Sequence, residues 1–228
     1  MIKTNTKKLT ALAMLSALAF LLALLFHYLP IPAIVPAAPF LRFEPKDVVI
    51  AIAGFIYGPL AVVPMAFAVA ILEMPFSGTW AHGVIMNVAS TLAFAGTASI
   101  IYKRKRTISG AAIGLVVGTI AVVIVMLPLN YLITPFFMGV PRHVVVEILI
   151  VGIGMFNFIK YAIVAAITMQ LYVPLRNALA KAKLLPEVED SALQVKRIKL
   201  GSIVVSVVIL VLSILGILHL NGFIFIGG

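Results

Sequence analysis

Long apolar runs follow one another along this chain, separated by short polar, Pro-rich or basic interruptions. The first run covers residues 9–29, behind Lys3, Lys7 and Lys8. It supplies the ~20 apolar residues that a membrane-crossing helix needs. It also exceeds the ~7–15-residue core of a signal peptide, and it is read as a helix that stays. A Pro-rich stretch, residues 30–39, leads to Glu44, Pro45, Lys46 and Asp47. Pro suits a first helical turn and acids suit the positive end of the helix dipole, so a second helix is expected to start there. It ends near Tyr57, where Gly58-Pro59 forces a tight turn, and a third run follows over residues 60–74. Both are short, which predicts helices that tilt, break or sit against partners.

Residues 75–83 read as an external loop holding the single Trp, Trp80. A fourth run over residues 84–102 ends in Lys103-Arg104-Lys105-Arg106. A fifth, residues 111–136, contains Pro128 and is expected to kink there. After a loop at 138–143, the sixth run spans residues 144–180 and ends among Arg176, Lys181 and Lys183. The expected organisation is a six-helix membrane domain over residues 1–185, a polar linker over 186–199, and an additional transmembrane helix over 200–228. The fold class is an all-α integral membrane protein.

Composition strengthens this reading. Of 228 residues, 63% are hydrophobic and 11% charged, with a mean hydropathy of +1.21. An average soluble domain carries roughly 25% charged residues, so lipid must be the solvent for most of this chain. The net charge of +10 could suggest nucleic acid, but the basic residues cluster between apolar runs, as in loops facing anionic headgroups. Counted through six spans, the N-terminal lysines, Lys103–Arg106, Arg176–Lys183 and Lys196–Lys199 fall on one side. Only Arg42, Lys46 and Arg142 fall on the other. The excess of Lys and Arg marks the cytoplasmic side, which places the N-terminus in the cytoplasm and a seventh helix's end outside.

Little in the chain supports catalysis. There is no Cys, hence no thiolate nucleophile or metal site. Neither an H-E-x-x-H metalloprotease motif nor a P-loop is present, nor any cofactor-anchoring tract, and no enzyme is expected. Glu44, Asp47, Glu73 and Glu147 all fall near predicted external helix ends, not mid-span where a proton relay would sit. His27, His82, His143 and His219 fall near span ends and read as interfacial polar residues.

The polar residues inside the spans are Asn130 on the fifth, and Asn157 and Lys160 on the sixth, three apart and so on one face. A Lys at a helix centre costs roughly 2.5–3.5 kcal/mol, so Lys160 is expected in the outer half, facing the bundle. Such residues serve equally well as interhelical glue, worth ~0.6 kcal/mol each, or as a ligand site. Two carboxamides and an ammonium without a carboxylate partner suit a neutral, flat heterocycle with a uracil-like edge. On the first span, Ala13 and Ala17 form a small-xxx-small pair that permits close helix approach, within the bundle or outside it.

Several stretches together carry a family likeness: KLTALAMLSALAF, FEPKDVVIAIAGFIYGPLA, SGTWAHGVIMNVAST, LPLNYLITP and FNFIKYAIVAAITMQLYVPL. Over about residues 8–185 the chain resembles the substrate-binding S component of energy-coupling factor (ECF) vitamin transporters, specifically those for riboflavin. The resemblance implies that Asn130, Asn157 and Lys160 contact the flavin, with Asn87 in a supporting place. It implies that the loop over residues 30–46 covers the site from outside. It also implies that Ala13 and Ala17 dock a transmembrane T subunit coupled to two ATPases. Riboflavin, or flavin mononucleotide, would be the transported ligand and not a cofactor. An S component for folate or thiamine, or a structural membrane protein, stands as the alternative. The chain departs from the family in starting its second helix with Glu44-Pro45-Lys46-Asp47 instead of a D-x-S-D segment, and in carrying the extra run after Lys199.

Overall fold

The computed structural model describes residues 6–29, 35 and 38–185 of the chain. The linker at 186–199 and the seventh apolar run lie outside the described residues. Within them the protein is all-helical. Six helical rods follow in order: α1 Thr6–Tyr28, α2 Lys46–Tyr57, α3 Pro59–Ser77, α4 Trp80–Lys105, α5 Ile108–Met138 and α6 Arg142–Lys181. All except α2 are long and apolar enough to cross a membrane.

The short helix is the centre of the bundle. Its 12 residues are all buried, Lys46 and Asp47 included. At 1.5 Å per residue α2 is about 18 Å long, well short of the ~30 Å hydrocarbon core. A helix that is apolar all round belongs inside, and α2 is surrounded by α1, α3, α4 and α6. Gly58, at φ +91°, ends it, and Pro59 opens α3 at once. Around this post, large side chains such as Leu21, Leu60, Ile124 and Ile150 are exposed, as befits rods bathed in lipid.

The junction of α3 and α4 differs from the sequence expectation. Pro75 does not end α3, which continues to Ser77 and is closed by Gly78 at φ +67°. The expected loop at 75–83 shrinks accordingly, because α4 begins at Trp80. Pro128 and Pro135 both lie within α5.

The α4–α5 pair is held by backbone proximity. Thr107 caps α5 by accepting a 3.0 Å hydrogen bond from the Gly110 N–H. One and two turns further on, a Cβ at Gly114 would lie 2.7 Å from the Ala98 carbonyl oxygen, and one at Gly118 2.6 Å from that of Phe94. The Gly-xxx-Gly spacing therefore lets the two helices touch. Phe94 sits in a π-helical stretch of α4, Leu92–Gly96, and a second such stretch, Leu149–Gly154, lies in α6. Such insertions shift the register of the residues that follow, and they recur at functional sites.

Substituting either close-approach glycine should therefore loosen the bundle. Gly114→Ala and Gly118→Ala are each expected to destabilise it by about 1–3 kcal/mol, the usual cost of overpacking. Gly96→Ala, where a Cβ meets nothing within 4 Å, should be tolerated. Thermal unfolding in mild detergent checks this, and equal melting temperatures for all three would refute the close-approach account.

Candidate ligand-binding site

One end of the bundle encloses a cavity of about 350 Å³. Its walls come from the end of α1, the loop before α2, the junction of α3 and α4, and the facing halves of α5 and α6. A volume of this order suits a small organic molecule. Phe40, Met86, Met126, Phe137 and Phe156 give it apolar faces. Phe40 from the loop meets Phe137 of α5 edge-on, with ring centroids 5.5 Å apart.

The structure brings Asn87, Asn130, Asn157 and Lys160 together on this one cavity. Asn130 is fully buried; its Nδ2 donates to the Met126 carbonyl at 2.8 Å and its Oδ1 accepts from the Thr134 hydroxyl at 2.9 Å. Asn157 Nδ2 donates to the Ile153 carbonyl at 2.8 Å, just after the π-helical stretch of α6. The Lys160 ammonium has no hydrogen-bond acceptor among the described residues. It lies 6.0 Å and 5.6 Å from the ring centroids of Phe156 and Tyr161, within cation–π range. Ala13 and Ala17 are not part of the cavity. They are exposed on the outer side of α1, while Ala11, Leu15 and Ala19 turn inward.

The expectation of a site without carboxylates is corrected. Glu44 lines the same cavity as Lys160. Burial pushes the Glu44 carboxyl up, but Lys46, 3.1 Å away, and Lys160 outweigh this and hold it below its ordinary value. Lys46 is buried and also pairs with Glu73 of α3. The Glu73 oxygen that meets Lys46 accepts a 3.0 Å hydrogen bond from Asn87 Nδ2. Its other oxygen, Oε1, has no partner among the described residues. Beside this group, the fully buried Asp47 accepts from Thr91 at 2.6 Å and from Tyr161 at 3.0 Å. Asp47 thereby ties α2 to α4 and α6.

Two histidines read as interfacial also need correction, since His27 and His82 both line the cavity. Arg42 of the loop donates to the His27 carbonyl at 3.0 Å and so fastens the loop to the end of α1. The same loop seats Val35, Ala38 and Leu41 against Val145, Ile153 and Phe156 of α6. The placement of Glu73 followed from ending α3 at Pro75. Read one turn longer, that helix carries an acid facing inward, and an intramembrane acid is a site signal in itself.

A deep cavity, walled by aromatic faces and a few fixed polar groups inside a lipid-solvated bundle, defines a membrane protein that binds a small solute. The family profile described as the substrate-specific component of ECF transporters matches residues 7–172. The riboflavin transporter RibU of Staphylococcus aureus (strain TCH60) is 33% identical over 183 residues, covering 78% of this chain and 94% of its own. The riboflavin transporter FmnP of Bacillus subtilis (strain 168) is 31% identical over 182 residues, covering 75% and 93%. A solved S component of a bacterial ECF transporter is 34% identical and superposes with a TM-score of 0.64, over 76% of this chain and 98% of that one. This chain belongs to the ECF transporter substrate-specific components. It is thus a transporter subunit and not an enzyme.

Lys46 is the residue whose loss should cost most. Removing one member of a buried ionic group leaves the others uncompensated, at about 3–5 kcal/mol. Lys46→Met is expected to lower stability by that order in detergent unfolding measurements. A variant as stable as the parent would show that Glu44 and Glu73 do not need their cation.

Proposed function

We propose that this chain is the riboflavin-binding subunit of an ECF importer. It captures the vitamin at the cavity end, outside the cell, and passes it to the cytoplasm with a T subunit and two ATPases. The observation that carries this reading is convergence. The four residues the family likeness selects, Asn87, Asn130, Asn157 and Lys160, come from three helices and line one cavity. The riboflavin transporters named above support the ligand. Flavin mononucleotide, which carries the same ring, is the second candidate. The orientation proposed, with the N-terminus in the cytoplasm, draws its support from the basic clusters. Lys8, Tyr57 and Leu184 meet at the end opposite the cavity, where Lys8 donates to the Tyr57 carbonyl and the Tyr57 hydroxyl to that of Leu184.

The direct test is the absorbance of protein purified in mild detergent, where bound flavin is yellow; folate or thiamine would not give that spectrum. Lys160 supplies the charged hydrogen bond in this reading. Such bonds contribute ~1.5–3 kcal/mol, so Lys160→Ala should weaken riboflavin binding roughly ten- to a hundredfold. Flavin fluorescence quenching measures this, and an unchanged dissociation constant in a folded variant would remove Lys160 from the site.

Ala13 and Ala17 are proposed as the T-subunit docking face. Their small side chains leave the exposed side of α1 flat, and bulk there would prevent close helix approach. The double substitution Ala13→Trp, Ala17→Trp should abolish uptake of labelled riboflavin by cells while leaving binding by the purified subunit unchanged. Equal loss of both would mean that this face serves the fold of the subunit and not docking. Loss of neither would place docking elsewhere.

A further inference from the structure

The four cavity residues differ in what they can offer a ligand, and the structure constrains which. A carboxamide can present either its oxygen or its N–H groups, and its orientation is settled by its fixed partners. Asn130 and Asn157 each have the amide against a backbone carbonyl, which can only accept. The nitrogens must therefore be the atoms held there. Asn87 differs because its partner is a side chain, Glu73. Lys46, which can only donate, meets the same Glu73 oxygen, so that oxygen accepts. Asn87 must then turn its nitrogen to Glu73. Glu73 itself does not line the main cavity, whereas Asn87 does. One of the two Asn87 N–H groups is thus held from behind.

We infer that Glu73 is a positioning residue that locks the Asn87 carboxamide, so that position 87 offers the ligand an oxygen and reads a hydrogen-bond donor. With Asn157 oriented the same way, and Lys160 as the ammonium on the α6 wall, the cavity has a polarity. It takes N–H or O–H groups at the Asn87 and Asn157 oxygens and a carbonyl-type acceptor at Lys160. A flavin, with its ring N–H, its ring carbonyls and its hydroxylated chain, has both. This assignment rests on the riboflavin reading proposed above, but nothing in that reading involves Glu73 or fixes the sense of the Asn87 bond.

Reversing the bond tests it. In the double variant Glu73→Gln, Asn87→Asp the two groups exchange roles. The new amide at 73 can keep its oxygen on Lys46 and turn its nitrogen to the carboxylate at 87, and the remaining carboxylate oxygen still faces the cavity as an acceptor. Asp has no N–H, so position 87 could no longer donate to anything. Riboflavin titration by fluorescence quenching, on the full chain in detergent, compares this double variant with Glu73→Gln, Asn87→Leu, which shares the loss of the Glu73 charge; the Asp-bearing variant should bind at least tenfold more tightly. Asn87→Leu alone should be at least tenfold weaker than the parent. A second arm addresses positioning. Glu73→Met should weaken binding about tenfold in the parent, yet no further in the Asn87→Leu background, because a residue acting through another has no effect once that other is gone.

A reversed pair that binds as weakly as Glu73→Gln, Asn87→Leu would overturn the acceptor assignment. Additive losses in the second arm would make Glu73 a purely structural residue. Should Glu73→Met fail to fold, the comparison of the two Glu73→Gln double variants still decides the polarity. A parent protein that binds no riboflavin would overturn the ligand reading instead, an outcome separable from either of these.

Discussion

Lys46 is an ammonium at the head of a helix that has no exposed residue. Its charge can be kept there only because Glu44 and Glu73 bring carboxylates to it from the preceding loop and from α3. A buried charge without such company would cost several kcal/mol, more than most single contacts in the bundle supply. Much of the cavity end is therefore arranged around this group. The loop must reach Lys46 with Glu44, α3 must continue past residue 74 to hold Glu73 in place, and α4 must present Asn87 to the same carboxylate. The neighbouring Asp47 extends the arrangement to α6 through Tyr161. The polar groups that face the ligand thus sit on helices fastened by polar groups that do not.

The rest of the bundle supplies rigidity by other means. Glycines bring α4 and α5 into backbone contact, and the opposite end is closed by large rings. There the Tyr102 and Tyr172 hydroxyls are 2.7 Å apart, and Phe55 packs against both rings. Packing of this kind gains nothing from water exclusion between helices already in lipid. It works through close van der Waals contact, which a single added methyl can spoil.

The sequence made most of the architecture legible because membrane helices announce themselves as long apolar runs between charges. It also made Asn130, Asn157 and Lys160 legible, since polar residues deep in such runs are expensive. Glu73 was hidden by Pro75, which looked like a helix end but lies in a last turn, where α3 continues to a glycine stop. His27 and His82 were hidden for a related reason. A residue at a span end can face headgroups or face inward, and only the closing of the loop over the cavity distinguishes the two. The Gly114–Gly118 spacing was readable in principle, but its partner surface on α4 was not. The π-helical stretches have no comparable one-dimensional signature, although Leu149–Gly154 sets the phase of the helix that carries Asn157 and Lys160.

The shortness of α2 has a consequence for how the chain enters the bilayer. With 12 residues and two charges at its head, it cannot settle across a membrane alone: its length falls short, and each charge would cost roughly 2.5–3.5 kcal/mol at mid-depth. Its neutralising partner on the far side, Glu73, arrives only after another helix has been synthesised. Energetically the segment from Lys46 to Ser77 is therefore one unit, a helical hairpin whose first arm becomes lipid-compatible when the second lies against it. In that hairpin the charges on which the binding end is built and the helix that neutralises them come as one piece.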